Sequence, residues 1–348
     1  MKVIKQLLPG VLLLCVLVLG SVYWFQRDSC DCRKRIDYSN VNLHKDLNRD
    51  TFLSPLQEEE YQHILNDWSN FDLGSDSSRI HQRLKVSSNR ELIVMSHDKA
   101  GQKHYGAIYL PQQFDSTQQY PLLLWANGLN QKDPSVYLTK NRLIEKLLEG
   151  LPDYFIVVPS YRGQALQTYY TRYCSDGFFG DAFDGATDDA LRLLHWTREN
   201  FPAVDTQRLA LFGVSRGGTV GLLAAARYPS LNCVVAQSGP TNFLLPIVSR
   251  RYGKQYRYQF LSKEAPLSIL REKIIKSSPL FFVDHYPGDL LLIYGKKDWV
   301  VPISNGENLV EKLSDKPNLE FVQLEGGHSA GYTQQSIRWI QEHNRKSF

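Results

Sequence analysis

Arg208-Leu209-Ala210-Leu211-Phe212-Gly213-Val214-Ser215-Arg216-Gly217-Gly218-Thr219 is the stretch from which the fold can be read. An apolar run of strand formers ends in a Gly-x-Ser-x-Gly pentapeptide, and small, helix-forming residues from Val220 to Arg227 follow at once. That is the strand, sharp turn and helix of a nucleophile elbow. Such a turn holds its central residue in a strained conformation, so Gly213 and Gly217 lack side chains where strand and helix converge. Ser215 would then sit at a helix N-terminus, where backbone N–H groups, that of Arg216 first among them, can stabilise an oxyanion.

Upstream of the elbow, Pro121-Leu122-Leu123-Leu124-Trp125-Ala126 and Tyr154-Phe155-Ile156-Val157-Val158-Pro159 are continuous apolar runs. Runs of this kind suit strands buried on both faces, as in a parallel sheet covered by helices. Leu92–Met95 and Tyr105–Leu110 read as two earlier strands, and Asn232–Gln237, Leu290–Tyr294 and Leu319–Leu324 as three later ones. The expected architecture is therefore α/β, with a mostly parallel eight-stranded sheet flanked by helices. A segment from about Thr241 to Pro287, basic at Arg250, Arg251, Lys254 and Arg257, forms a lid-like insertion. The long aromatic and acidic segment from Gln164 to Asp184 carries Tyr169 and Tyr170, and reads as a pocket wall together with Asn127 and Tyr161.

A serine hydroxyl needs a neighbouring base, and a histidine base needs an acid that fixes its tautomer. In this fold the chain order is Ser, acid, His, with the acid after the seventh strand and the histidine after the eighth. Asp298 follows Leu290–Tyr294 and His328 follows Leu319–Leu324. His195 falls on a helix before the elbow, His285 within the insertion and His343 on the last helix, so His328 remains as the base. Asn127-Gly128-Leu129 leaves the third strand where a second oxyanion donor is wanted, and the backbone N–H of Leu129 is the candidate.

With 348 residues and 43% hydrophobic content, the chain can bury one large core. A net charge of +4, spread among nearly equal numbers of acids and bases, supports no nucleic-acid partner. The organisation expected is a leader over 1–25, a linker and packing segment over 26–89, and a catalytic domain over 90–348. Leu7 to Phe25 carries no charge and follows Lys2 and Lys5, so it is either a secretory signal peptide or an uncleaved membrane anchor. Trp24 and Phe25 extend the run past the Val18-Leu19-Gly20 cleavage signal, which favours an anchor, and either reading places the body outside the cytoplasm. Cys30-Asp31-Cys32 is too closely spaced for a usual zinc pair, so no metal and no cofactor is expected. In an exported body, Cys174 could pair with Cys30 or Cys32.

Taken together, Gly213-Val214-Ser215-Arg216-Gly217-Gly218, Asp298 with Val300-Val301-Pro302, Gly326-Gly327-His328 and Ser278-Pro279 resemble the catalytic domain of the prolyl oligopeptidase family, within the α/β-hydrolase superfamily, from about Tyr105 to Asn344. The resemblance implies a serine hydrolase acting on a small ester or peptide through an acyl-enzyme. An esterase or lipase is the other hydrolase reading, and a non-catalytic binding member would require a broken triad. Two departures stand out. Peptidases of the family usually carry a large β-propeller, for which Phe25 to Asn89 is too short. They also use a tyrosine hydroxyl in the oxyanion hole, near where this chain has Trp125-Ala126-Asn127.

Overall fold

The computed structural model describes residues 48–86, 90–130, 132–261, 265–328 and 330–345. The leader over 1–25 and Cys30 and Cys32 lie outside them. Nine strands form one sheet in the order β1-β2-β3-β6-β4-β9-β10-β11-β12. They are β1 (Ser77–Val86), β2 (Arg90–Lys99), β3 (Gln102–Tyr109), β4 (Tyr120–Ala126), β6 (Phe155–Ser160), β9 (Val204–Val214), β10 (Cys233–Gln237), β11 (Asp289–Gly295) and β12 (Leu319–Leu324). The three N-terminal strands are antiparallel and the pairings from β6 to β12 are all parallel.

The apolar runs follow from burial on both faces. In β4, Leu122, Leu124 and Ala126 point into one core and Leu123 and Trp125 into the other, because alternate side chains leave a strand on opposite sides. The first core is closed by α3 (Asp184–Asn200), α4 (Arg216–Arg227) and α7 (Ser304–Lys312) through Ala190, Leu194, Val220 and Leu309. The second is closed by α2 (Arg142–Gly150) and α8 (Thr333–His343) through Ile144, Leu147, Ile337 and Ile340. Truncating a wholly buried leucine such as Leu123 to alanine would cost about 2–5 kcal/mol.

The ninth strand is β1, which lies in the stretch expected to be linker. Its burial alternates poorly and its pairing with β2 slips between Ile80 and Gln82, so the period-two signal is broken in the sequence. It is an edge strand whose Arg79, Arg83 and Lys85 keep that edge polar. Before it, α1 (Glu58–Ser69) packs on the insertion. Arg271 of α6 (Leu267–Lys276) donates to both carboxylate oxygens of Glu60 at 2.6 and 2.8 Å, and Trp68 meets Phe282 edge-on.

The insertion is helical. α5 (Pro246–Phe260) breaks at Gly253, whose φ of +48° is a conformation glycine adopts without strain, and α6 follows. The aromatic segment after β6 folds in part into a hairpin, β7 (Ala165–Gln167) and β8 (Arg172–Cys174), and β7 pairs with the short β5 (Ser135–Tyr137).

Candidate active site

Asn127, Ser215, Asp298 and His328 all lie just beyond the C-terminal ends of parallel strands, which is where an open α/β sheet gathers its ligand-binding loops. Ser215 has φ +57° and ψ −121°, outside the regions an L-residue favours. Close packing enforces the turn. A Cβ on Gly213 would come within 1.9 Å of the Gly217 carbonyl oxygen, and one on Gly217 within 1.9 Å of that of Ala126. The Ser215 N–H donates to the Gln237 carbonyl at 2.8 Å, which fastens the turn to β10.

His328 bridges the other two side chains. Its Nε2 lies 2.9 Å from Ser215 Oγ and its Nδ1 lies 2.7 Å from Asp298 Oδ2. The second oxygen of Asp298 accepts the N–H groups of Val300 and Val301 at 2.8 and 2.9 Å, which fixes the carboxylate plane. The Asp298 side chain is fully buried, whereas that of His328 is partly open. Gln237 Nε2 donates to the Ala330 carbonyl at 2.7 Å and steadies the segment after His328.

Arg216 heads α4, so its backbone N–H has no partner one turn earlier in the helix. Its side chain is buried and turns to the loop after β4. Nη2 donates to Asn127 Oδ1 at 2.5 Å and to the Gly128 carbonyl at 2.9 Å, and Nε reaches the Asn127 carbonyl at 3.4 Å. The guanidinium lies 4.5 Å from the centre of the Tyr161 ring. No carboxylate forms an ion pair with it among the described residues, and burial lowers its pKa to about 10. The loop it holds is close to the serine, since a Cβ on Gly128 would lie 3.6 Å from Ser215 Cβ.

Two cavities meet at Ser215 and His328. One, of about 270 Å³, runs under α5 and is walled chiefly by Phe183, Phe243, Tyr252, Tyr256, Val300 and Val301, with Leu129 also lining it. The other, of about 400 Å³, is bounded by Leu129, Arg142, Lys146, Gln237, Gly331 and Thr333.

The expected pocket residues are placed differently. Tyr169 and Tyr170 line neither cavity. They sit at the tip of the β7–β8 hairpin, 61% and 78% exposed, because the hairpin carries its turn away from the strand ends. Tyr161 and Asn127 are buried beneath the site and support Arg216, and neither lines either of these two cavities. The aromatic wall comes mainly from the insertion, through Phe243, Tyr252 and Tyr256, and the segment over 164–184 contributes Phe183. Tyr252 and Tyr256, with the buried Phe260 one turn further on, recur every fourth residue, a helical stripe visible in the sequence but interrupted by Lys254 and Arg257.

Cys174 is disulfide-bonded, and Cys233 is a buried free thiol. Among the described residues the one trio of metal-ligating side chains in mutual reach, His63, Asp67 and Glu272, is at the surface, and Lys276 pairs with both carboxylates at 2.7 and 2.6 Å. No helix among the described residues is long and apolar enough to cross a membrane.

Fold and elbow together define a serine hydrolase of the α/β-hydrolase class. The pattern of the prolyl oligopeptidase family matches residues 152–345, more than half of the sequence, and the chain belongs to that family. Solved structures share the fold at low identity. Acetyl xylan esterase 1 from a Thermoanaerobacterium species is 16% identical with a TM-score of 0.59, covering 88% of this chain and 97% of the esterase. A puromycin-hydrolyzing peptidase of Mycobacterium tuberculosis is 16% identical with a TM-score of 0.57, covering 78% of this chain and 41% of the peptidase. The acylaminoacyl peptidase of Pyrococcus horikoshii is 15% identical with a TM-score of 0.54, covering 82% and 44%. The chain thus spans less than half the length of these two peptidases and nearly all of the esterase. No curated protein sequence matches it.

Proposed function

We propose that the protein hydrolyses esters, and more slowly amides, through an acyl-enzyme on Ser215. The observation that carries this reading is the continuous line of hydrogen-bond distances from Ser215 Oγ through both ring nitrogens of His328 to Asp298. Ser215 Oγ attacks the carbonyl carbon while His328 Nε2 takes its proton, and Asp298 holds the tautomer and steadies the imidazolium. The negative oxygen of the tetrahedral intermediate accepts the N–H groups of Arg216 and Leu129. His328 returns the proton to the leaving group, and water then releases the acyl group by the same steps in reverse order of roles. The side-chain-sized apolar cavity under α5 takes the acyl part, so apolar or aromatic acyl groups are favoured. Esters outrun amides because an alkoxide or phenoxide leaves with less help from His328 than an amine does. The chain's near-complete overlap with an esterase fold is consistent with this order.

Ser215→Ala is expected to abolish both hydrolysis and fluorophosphonate labelling while leaving the unfolding midpoint near that of the wild type. Labelling retained in the variant would overturn the assignment. A panel of p-nitrophenyl esters and N-blocked peptide amides, compared by kcat/KM, tests the substrate order, and higher values on the amides would make peptidase the right class. We also propose that the body is exported, attached or released through the leader. The disulfide at Cys174 supports an oxidising compartment. A C-terminal reporter active only in cytoplasm should stay silent, and strong activity would overturn the proposal.

A further inference from the structure

The two cavities at Ser215 differ in charge, and the difference bears on the leaving group. In the cavity under α5 the single charged wall residue is Arg216, whose guanidinium is engaged with Asn127 and Gly128. In the other, Arg142 and Lys146 stand one helical turn apart on α2 and so share a face. No Asp or Glu lines that cavity, and neither cation forms an ion pair among the described residues. The first turn of α2 is already capped, because Asn141 Oδ1 accepts the N–H groups of Leu143 and Ile144 at 3.1 and 3.3 Å. What the helix offers the cavity is therefore two side-chain charges.

The direction of proton transfer says which half of the substrate meets them. The leaving group must receive its proton from His328 Nε2, and Ala330, Gly331 and Thr333, which follow His328 in the chain, wall this same cavity. Building on the hydrolase reading above, we infer that this cavity is a leaving-group subsite for substrates whose alcohol or amine half carries an anionic group, which Arg142 and Lys146 bind. In the acylation step the acyl–oxygen or acyl–nitrogen bond breaks as the Ser215 ester forms. The Ser215 proton passes through His328 to the departing atom, and the anionic group leaves unchanged.

The test compares 3-carboxyphenyl butyrate with its neutral isostere 3-carbamoylphenyl butyrate on the full chain, each kcat/KM divided by the ester's rate with hydroxide. Two solvent-facing cations should favour the carboxylate about five- to tenfold at low salt, and the preference should shrink as ionic strength rises. In Arg142→Gln/Lys146→Gln the ratio of the two esters should fall towards one. In Arg142→Glu/Lys146→Glu it should invert. N-blocked dipeptides with a free or an amidated C-terminus form the amine arm, and a preference confined to one arm identifies the class of leaving group. A ratio near one in both the ester and the dipeptide arms, or a ratio that survives both variants, would overturn the inference while leaving the hydrolase reading intact. Failure to cleave either ester would overturn the hydrolase reading and the inference with it.

Discussion

Arg162 and Arg216 each stand two residues past the end of a central strand, and each is largely buried, yet their surroundings are opposite. Arg162 meets three carboxylates. It reaches Asp181 at 2.6 Å, Asp189 at 2.8 Å and Asp188 at 3.4 Å, and its backbone N–H donates to Asp189 as well. Burial alone would lower its pKa, but Asp189 and Asp181 outweigh burial and raise it. Arg216 meets carbonyl oxygens, an amide oxygen and an aromatic ring, and burial lowers its pKa. One charge is cancelled inside the fold. The other is satisfied by dipoles only, so its positive field persists beside Ser215, where negative charge would develop during acyl transfer. The contrast separates an arginine that holds the structure from one that holds the active-site loop.

The largest effect expected from this contrast is on stability. Arg162→Met should cost about 3–5 kcal/mol in urea unfolding, because it strands buried carboxylates. Arg216→Met should cost less than half as much, since it leaves no charge unpaired. Equal losses would break the distinction. Acid titration sharpens it. Burial would raise the pKa of Asp189, but Arg162 and His104 together hold it below the usual carboxylate value. A depressed carboxylate contributes stability above its unfolded pKa, near 4, and loses that contribution as pH falls through its folded value. The stability gap between wild type and Arg162→Met should therefore be widest near neutrality and narrow below about pH 4. A gap that widened with acid would rule out the Asp189 pairing as its source.

Activity should show the converse. Arg216→Met is expected to lower kcat about tenfold or more with little change in KM, because the loop carrying the Leu129 N–H loses its anchor. Arg216→Lys should restore only part of the loss, as a point charge cannot span Asn127 and Gly128 the way a fork does. Full rescue by lysine would assign the effect to charge and not to geometry. The smallest effect belongs to Asn127→Ala, which removes one acceptor of the guanidinium and keeps both carbonyls. A two- to fivefold fall in kcat is expected, about the worth of one hydrogen bond. A loss larger than that of Arg216→Met would mean that Asn127 acts directly.

Much of this was legible in the sequence wherever the determinant is local. The elbow is encoded in twelve consecutive residues, and the strands that hold Asp298 and His328 announce themselves as apolar runs, because a sheet covered on both faces leaves no polar position to interrupt them. Chain order picks out Asp298 and His328, the two residues whose side chains line up with Ser215 in the structure. Strand β1 escaped because an edge strand with a shifted register has neither a continuous apolar run nor a clean alternation.

The cavities were a different matter. Tyr169 and Tyr170 look like pocket aromatics in a long loop, but a three-residue hairpin strand on either side lifts them to the surface. Phe243, Tyr252 and Tyr256 look like part of a basic surface segment, yet the insertion folds them into a cavity beside Ser215. Arg142 and Lys146, an unremarked pair on an amphipathic helix, end up beside the same serine. Sequence by itself determined eight of the sheet's nine strands, the turn and the identity of the three side chains that converge, because each depends on backbone geometry and burial within a single element. Tertiary structure alone decided which walls the serine faces and where the arginine next to it points, because those depend on how an insertion and a loop from distant parts of the chain pack across the strand ends.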